Sequence, residues 1–596
     1  MQIETELMVE HTERIRLRLL ILLMLTGLFV LTVGLWRLQL HHGEEHSIAV
    51  EKQSVRRVRL PAPRGRIFDV NGVCLADTRP SYCIAIYVEE LRQPGKLSKT
   101  ISKIDEVIGQ IEKIIKVPRQ VTRKDIELHL QKRLPLPLLA WRNLDMQAIA
   151  RWEESGVIIP GVDIEIQPLR FYPHGTVASH VLGYVTRTTA PSDDEEEYDF
   201  YLPDFVGVSG VEKYYDECLR GESGGSLIYI FASGYKYRED ITLPPRPGKD
   251  VRLTIDIRIQ KALESALADV EGAGVVVDIR TGEIRAMAST PAFDPNLMAS
   301  GISKEEWAKL AGETKNIFYN KAISGVYPPG SVFKPVVAIA ALENKRATPS
   351  TTFECQGYFQ RGNLKIRCWK ESGHQLIALR KAIEQSCNAY FCQLGLLAGY
   401  DVIWETAIQA GFATRTGIDL PGEVSGFLGN NEWKRNVLKE KWMDGDTCNI
   451  SIGQGYITVT PLQVAVFMAA LANGGVLLQP HVALSETGIY KTKKCGWSES
   501  TLKIIKEGMR DVIQNEEGTG KRARIEGIEM AGKTGTAEYG TKENTKNYAW
   551  MALFAPVSSP KYAVAIVIEE GISGGRTAAP RAKQLMEEIF KLEKIL

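Results

Sequence analysis

At 596 residues the chain exceeds one ordinary core, so two or more domains are expected. Its 44% apolar and 24% charged residues are those of a folded protein, and a formal net charge of +1 argues against a nucleic-acid binder. Nine cysteines over this length do not suggest a disulfide-stapled scaffold, and no internal repeat or extended low-complexity tract is found.

Leu19 to Trp36 are eighteen consecutive uncharged residues, continued by Leu38 and Leu40 after Arg37, which approaches the length a helix needs to cross the hydrocarbon layer. Arg14, Arg16 and Arg18 precede the run, whereas His41, His42, Glu44 and Glu45 follow it. The basic side stays cytoplasmic, so residues 1–18 are expected inside, 19–40 in the membrane and the rest outside. A cleaved signal peptide is the rival reading, but the small-residue cleavage pattern is poor after Trp36.

Asn71-Gly72 between extended segments predicts a hairpin turn, and residues 100–160 read as mostly helical. Extended segments follow around 161–185, then a Gly-rich stretch at 207–225. Asp193 to Glu197 reads as a solvated acidic loop rather than a metal site. Pro244, Pro245, Pro247 and Gly248 mark a domain boundary, giving a non-catalytic region at 41–245 and a catalytic domain at 246–596. In the latter, an amphipathic helix at 256–269 precedes strands at 274–278 and 283–289. Strands at 548–555 and 562–570 and a closing helix at 581–592 lie at the far end. Strand pairs at both ends of a long, mainly helical middle predict an α/β fold in which distant segments share one antiparallel sheet.

Three short motifs supply parts of one acyl-transfer site. Ser331 and Lys334 open a predicted helix and, three residues apart, share one face; a neutral lysine amine there could take the serine proton. Partial burial would push the amine toward neutrality. Ser386-Cys387-Asn388 begins a second helical segment, offering a hydroxyl to relay the proton and an amide to hold the lysine and the substrate. Lys533-Thr534-Gly535-Thr536 is expected on a strand, with charge and hydroxyls for a carboxylate and a glycine that leaves the strand edge open to substrate. Taken singly each has a plain structural reading: a helix cap with a snorkelling lysine, another cap, and a turn lysine. The Ser-x-x-Lys pattern also recurs at Ser233–Lys236 and Ser500–Lys503, and only context selects Ser331.

Together the motifs resemble the active site of the serine penicillin-recognising enzymes, and the likeness spreads far beyond them. Asn320 with Tyr327-Pro-Pro-Gly-Ser-Val-Phe-Lys-Pro335 is similar to their extended nucleophile segment. Leu253-Thr254-Ile255-Asp256 with Gln260, Thr416 to Glu423, and Ser451-Ile-Gly-Gln-Gly455 are similar to other parts of their transpeptidase domain. Arg64-Gly65-x-Ile67-x-Asp69, and Gly210-Val211-Glu212 with Tyr214 and Leu219, resemble the pedestal of the class B penicillin-binding proteins. The stretch Trp369, Gly373-His374, Ser386-Cys387-Asn388 and Tyr390-Phe391 looks most like the elongation-type, penicillin-binding protein 2 subfamily.

The resemblance implies a transpeptidase fold, with a central antiparallel sheet and helices on both sides, on an elongated α+β pedestal and a single membrane anchor. It implies D,D-transpeptidation of peptidoglycan stem peptides in wall elongation and cell-shape maintenance, with sensitivity to β-lactams. Ser331 would form the acyl-enzyme with loss of D-alanine, Lys334 would be the base, Ser386 the relay, and Asn388 would position the amide. Lys533, Thr534 and Thr536 would hold the donor carboxylate, with the oxyanion hole from the Ser331 and Thr536 N–H groups. The chain would sit in the inner membrane with its catalytic domain periplasmic, beside a membrane-embedded polymerase of the shape, elongation, division and sporulation type. A D,D-carboxypeptidase or β-lactamase-type hydrolase and a penicillin-binding sensor are the alternatives.

Cys355, Cys368, His374 and Cys387 follow the spacing Cys-x12-Cys-x5-His-x12-Cys, and three thiolates with an imidazole suit a tetrahedral, structural zinc ion. Some enzymes of the same subfamily resemble this arrangement at the matching places. A disulfide between two of the cysteines, or unlinked thiols, are the competing expectations. Cys392, one turn past Cys387, is expected to pack in the core.

Overall fold

The computed structural model describes residues 2–41, 55–132, 136–188, 198, 200–230, 236–302, 308, 316–484, 490–541 and 544–595. His42, Glu44, Glu45, the acidic segment 193–197 and Ser233 lie outside the described residues. A helix runs from Gln2 to Trp36 and continues as a π-helical turn through His41. Within it Ile15–Gln39 is long and apolar enough to cross a membrane, and the apolar side chains of that stretch are exposed all round it. Such a helix has no polar face to offer water, which is the pattern of a span in lipid.

In the region that follows, the turn at Asn71-Gly72 joins the paired strands Ile67–Phe68 and Cys74–Ile86. Asp69 Oδ1 accepts the backbone N–H groups of Asn71 and Val73 at 2.8 and 2.7 Å, and Gly72 takes a φ of 86°, open to glycine at little cost. The expectation of a mainly helical 100–160 holds at Leu97–Ile115, Arg123–Lys132 and Met146–Glu154. It fails at Leu138–Leu144, a strand paired with Cys74–Ile86. Leucines carry no strong strand preference, and cross-strand partners decided the state of this segment.

Glu212 is fully buried and held from two sides, by Arg64 Nε at 2.6 Å and Arg170 Nε at 2.7 Å, with the Tyr172 hydroxyl at 3.1 Å. This network binds the Arg64 segment to the Gly210-Val211-Glu212 segment, 148 residues apart. The two regions of the chain also meet. Val251–Arg252 pairs in parallel with Ile67–Phe68, and Tyr215 donates to Asp419 at 2.6 Å.

The strands of the catalytic sheet are β1 (Gly272–Asp278), β2 (Ile284–Thr290), β3 (Ala531–Thr541), β4 (Asn544–Ala555) and β5 (Tyr562–Ile568). Their spatial order is β2-β1-β5-β4-β3, antiparallel throughout, so the two ends of the domain do share one sheet. Every residue of β1 and β5 is buried. Because successive strand residues point to opposite faces, both faces must be covered. Helices Ile257–Leu267, Ala579–Leu592 and the wholly buried Pro461–Ala472 supply that cover. β3 is left at an edge of the sheet, with no strand paired to its outer side among the described residues.

Candidate active site

Pro328-Pro329 leads into a single 3-10 turn, Gly330–Phe333, and only then does the α-helix α1 (Lys334–Glu343) begin. The expected single helix from Ser331 is therefore split, with Pro335 in the first turn of α1, where its missing N–H has no intrahelical role. Gly330 sits at φ 53°, and a Cβ there would lie 2.8 Å from the Thr536 carbonyl oxygen. Its N–H donates to the Gly453 carbonyl at 2.9 Å. The 451–455 segment thus braces the residue before the serine from one side, and β3 from the other.

Lys334 is fully buried, and its ammonium donates to the Ser386 carbonyl at 2.7 Å, to Ser386 Oγ at 3.2 Å and to Asn388 Oδ1 at 2.7 Å. None of its hydrogen bonds among the described residues reaches Ser331, which the sequence had placed as its direct partner. Burial pulls the Lys334 amine down to about 8, within reach of a working base. Asn388 opens helix α2 (Asn388–Ala398), and its amide nitrogen is tied to the Arg367 carbonyl at 3.0 Å. Ser386 holds a left-handed φ of 52°, which turns the chain so that its side chain and its carbonyl both face Lys334.

Lys533 is also fully buried and donates to the same Ser386 Oγ at 2.9 Å and to the Thr534 carbonyl at 3.1 Å. Burial, and then the nearby charge of Lys334, hold its amine well below the usual lysine range. Two amines thus converge on one hydroxyl in a dry site, an arrangement that disfavours two full charges and favours proton sharing. The Thr534 hydroxyl meets that of Thr519 at 2.7 Å, and Thr536, exposed, accepts the Gly574 N–H at 3.2 Å on its side-chain oxygen. The hydroxyl hydrogen of Thr536 stays available for an anion. Gly535 serves differently from expectation: a Cβ there would meet the Pro329 carbonyl at 2.8 Å and Val332 and Trp550 at 3.0 Å. Its bareness makes room for the serine-bearing turn rather than for substrate. Thr519 and Gly574 carry no motif that would have marked them; only the fold brings them to β3. The repeat at Ser500–Lys503 lies at the start of the helix Glu499–Gln514, where Ser500 meets its cap Ser498 at 3.2 Å.

Cys355, Cys368, His374 and Cys387 converge, with one ligand atom from each lying within 4.8 Å of the others, and all four are buried. His374 Nδ1 is 3.5 Å from both Cys355 and Cys368 Sγ, and the Cys368 and Cys387 sulfurs are 4.0 Å apart. None of these cysteines is in a disulfide. His374 Nε2 is buried with no hydrogen-bond partner among the described residues.

The profile of the penicillin-binding protein transpeptidase domain matches residues 272–587, and that of the penicillin-binding protein dimerisation domain matches 59–253. The peptidoglycan D,D-transpeptidase MrdA of Acinetobacter baumannii is 35% identical over 95% of this chain and 86% of its own length. Penicillin-binding protein 2 of Helicobacter pylori, solved in complex with MreC, superposes with a TM-score of 0.78 at 28% identity, covering 91% of this chain and 100% of that one. A chain from a peptidoglycan synthase complex that coordinates polymerization and crosslinking superposes at 0.71 and 28% identity, over 97% and 98%. The matched transpeptidase domain works through its own serine. The expectation of a structural zinc ion on Cys355, Cys368, His374 and Cys387 is accordingly corrected: the matched domain is serine-based, and no metal is indicated for it. With paired lysines on Ser386, a serine held between β3 and the 451–455 segment, and matches over both regions, the chain belongs to the penicillin-binding proteins, in the elongation-type class B group of serine D,D-transpeptidases.

Proposed function

We propose that Ser331 attacks the penultimate D-alanine carbonyl of a stem peptide, forming an ester and releasing the terminal D-alanine, after which a neighbouring stem-peptide amine displaces the serine. The chain is a peptidoglycan D,D-transpeptidase of wall elongation and cell-shape maintenance. In this reading neutral Lys334 accepts the Ser331 proton once substrate draws the hydroxyl toward it. Ser386 Oγ, already bonded to both lysines, passes a proton to the leaving amine. Asn388 keeps Lys334 in place and faces the substrate amide. Lys533, Thr534 and Thr536 receive the donor carboxylate along the outer edge of β3, and the Ser331 and Thr536 N–H groups face the developing oxyanion. The observation that carries the reading is the shared hydroxyl of Ser386. Fluorescent penicillin should label the protein and fail to label a folded Ser331→Ala variant; stoichiometric labelling of that variant would overturn the assignment. With labelled stem peptide and an amine acceptor, cross-linked product supports transfer, while free acid or stalled acylation would favour a hydrolase or a sensor.

This is a single-pass inner-membrane protein with a periplasmic catalytic domain, a reading supported by the one helix among the described residues that is long and apolar enough to cross a membrane. We read residues 1–18 as cytoplasmic tail, 19–40 as anchor, 41–245 as pedestal and 246–596 as transpeptidase domain, a division supported by the separate matches at 59–253 and 272–587. A membrane-embedded polymerase of the shape, elongation, division and sporulation type is the proposed partner, supported by the likeness to the synthase-complex chain, and an MreC-like scaffold by the Helicobacter pylori complex. Co-purification of the full-length chain with each candidate from detergent-solubilised membranes tests both.

A further inference from the structure

Outside the cluster around His374 lies a second pair of thiols that the acyl transfer does not use. Cys392 stands on α2 and Cys448 on helix α3 (Asp444–Ser451), which leads directly into the Gly453 segment behind the serine. Both are fully buried in a small apolar cluster with Ile366, and the Cys392 sulfur lies 3.8 Å from the Cys448 carbonyl oxygen. No third histidine, cysteine or carboxylate among the described residues joins them to make a metal site.

The helices are close here for a reason. Three residues further along each, a Cβ on Gly395 would lie 1.9 Å from Ser451 Oγ, so only glycine permits this approach. Cys392/Cys448 and Gly395/Ser451 therefore form successive rungs of one contact line between α2 and α3. The bare Gly395 draws the two backbones together one turn from the cysteines, and a close approach of the backbones is what bridging them without moving the chain requires. The pair also faces the oxidising side of the membrane, where disulfides form and persist.

We propose that Cys392 and Cys448 are oxidised to a disulfide that staples α2 to α3. Each thiol gives up its hydrogen, the S–S bond forms, and the two electrons and two protons pass to the disulfide of a thiol–disulfide oxidoreductase, which leaves as a dithiol. Because both sulfurs are shielded in the finished fold, exchange takes place while the chain is folding after translocation. Its placement gives it a purpose. α2 begins with Asn388, which holds Lys334, and α3 ends at the segment whose Gly453 carbonyl holds the Gly330 N–H. The staple clamps together the two elements that position the base and the nucleophile.

The test uses full-length protein extracted from membranes by denaturation in excess N-ethylmaleimide without reductant, then digested and analysed by mass spectrometry. A peptide pair joining Cys392 to Cys448 is expected, lost on reduction, with both cysteines alkylated only afterwards. Both residues alkylated in most molecules before reduction, or either one bridged to Cys387 or another cysteine, would overturn the proposal. A second measurement asks for the stapling role. Prolonged thiol treatment should lower the Tm and slow penicillin acylation in the wild type, with no further effect in the C392A/C448A double variant. If the cross-linked peptide is present but reduction changes neither quantity, the clamp is refuted.

Discussion

Ser386 offers the sharpest separation of chemistry from folding, through Ser386→Ala and Ser386→Gly compared side by side. Either change deletes the Oγ that accepts Lys334 at 3.2 Å and Lys533 at 2.9 Å. Lys334 keeps the Ser386 carbonyl and Asn388, both at 2.7 Å, and Lys533 keeps the Thr534 carbonyl at 3.1 Å. The amines therefore stay put, and the stability cost is that of two hydrogen bonds, about 1–3 kcal/mol. Backbone strain separates the variants: at φ 52° alanine retains the left-handed penalty and glycine escapes it, worth about 1 kcal/mol in favour of Ser386→Gly. The catalytic loss should be the same for both, about 100- to 10,000-fold in the penicillin acylation rate constant, or about 3–5 kcal/mol of barrier. Stopped-flow acylation with fluorescent penicillin and thermal unfolding of the same samples measure the two quantities. If Ser386→Gly acylates within tenfold of wild type, Ser386 is no relay; if it recovers activity over Ser386→Ala, the defect was conformational.

The acylation rate should fall with falling pH through about 8, because Lys334, lowered by burial, gains a proton below that value and cannot act as base; a flat profile between pH 6 and 9 would contradict it. Gly535→Ala places a Cβ 2.8 Å from the Pro329 carbonyl and should push the serine turn off β3, cutting acylation about 100-fold with β3 still formed. Glu212→Gln leaves buried Arg64 and Arg170 without their shared counter-charge and should destabilise the chain by about 3–5 kcal/mol, read as a lower Tm in detergent. Acylation by the fraction that remains folded should be unchanged, since this network touches none of the lysines at Ser386.

Much of this protein is legible along the chain because its signals are local. The unbroken apolar run from Leu19 announces a helix that needs lipid, Asn71-Gly72 a tight turn, and the short apolar runs at 274–278 and 562–570 strands, since each depends only on neighbours in sequence. The candidate site residues were legible for the same reason, as short motifs at the starts of helices and on a strand. Part of what those residues do to one another was legible too, since Asn388 was expected to hold Lys334 and does so at 2.7 Å. That the bonds of Lys334 go to Ser386 and Asn388 and not to Ser331, and that Lys533 reaches the Ser386 hydroxyl from 147 residues away, follows from the packing of α1, α2 and β3. The strand at Leu138–Leu144 escaped notice because its state is set by a partner strand, and Gly535 was misread because the turn that fills its empty side belongs to another segment. Spacing also singled out Cys355, Cys368, His374 and Cys387, and only the tertiary structure shows that they converge and are buried. Sequence spacing determines which groups are available; burial and approach between distant segments determine their charge, their partners and hence their work.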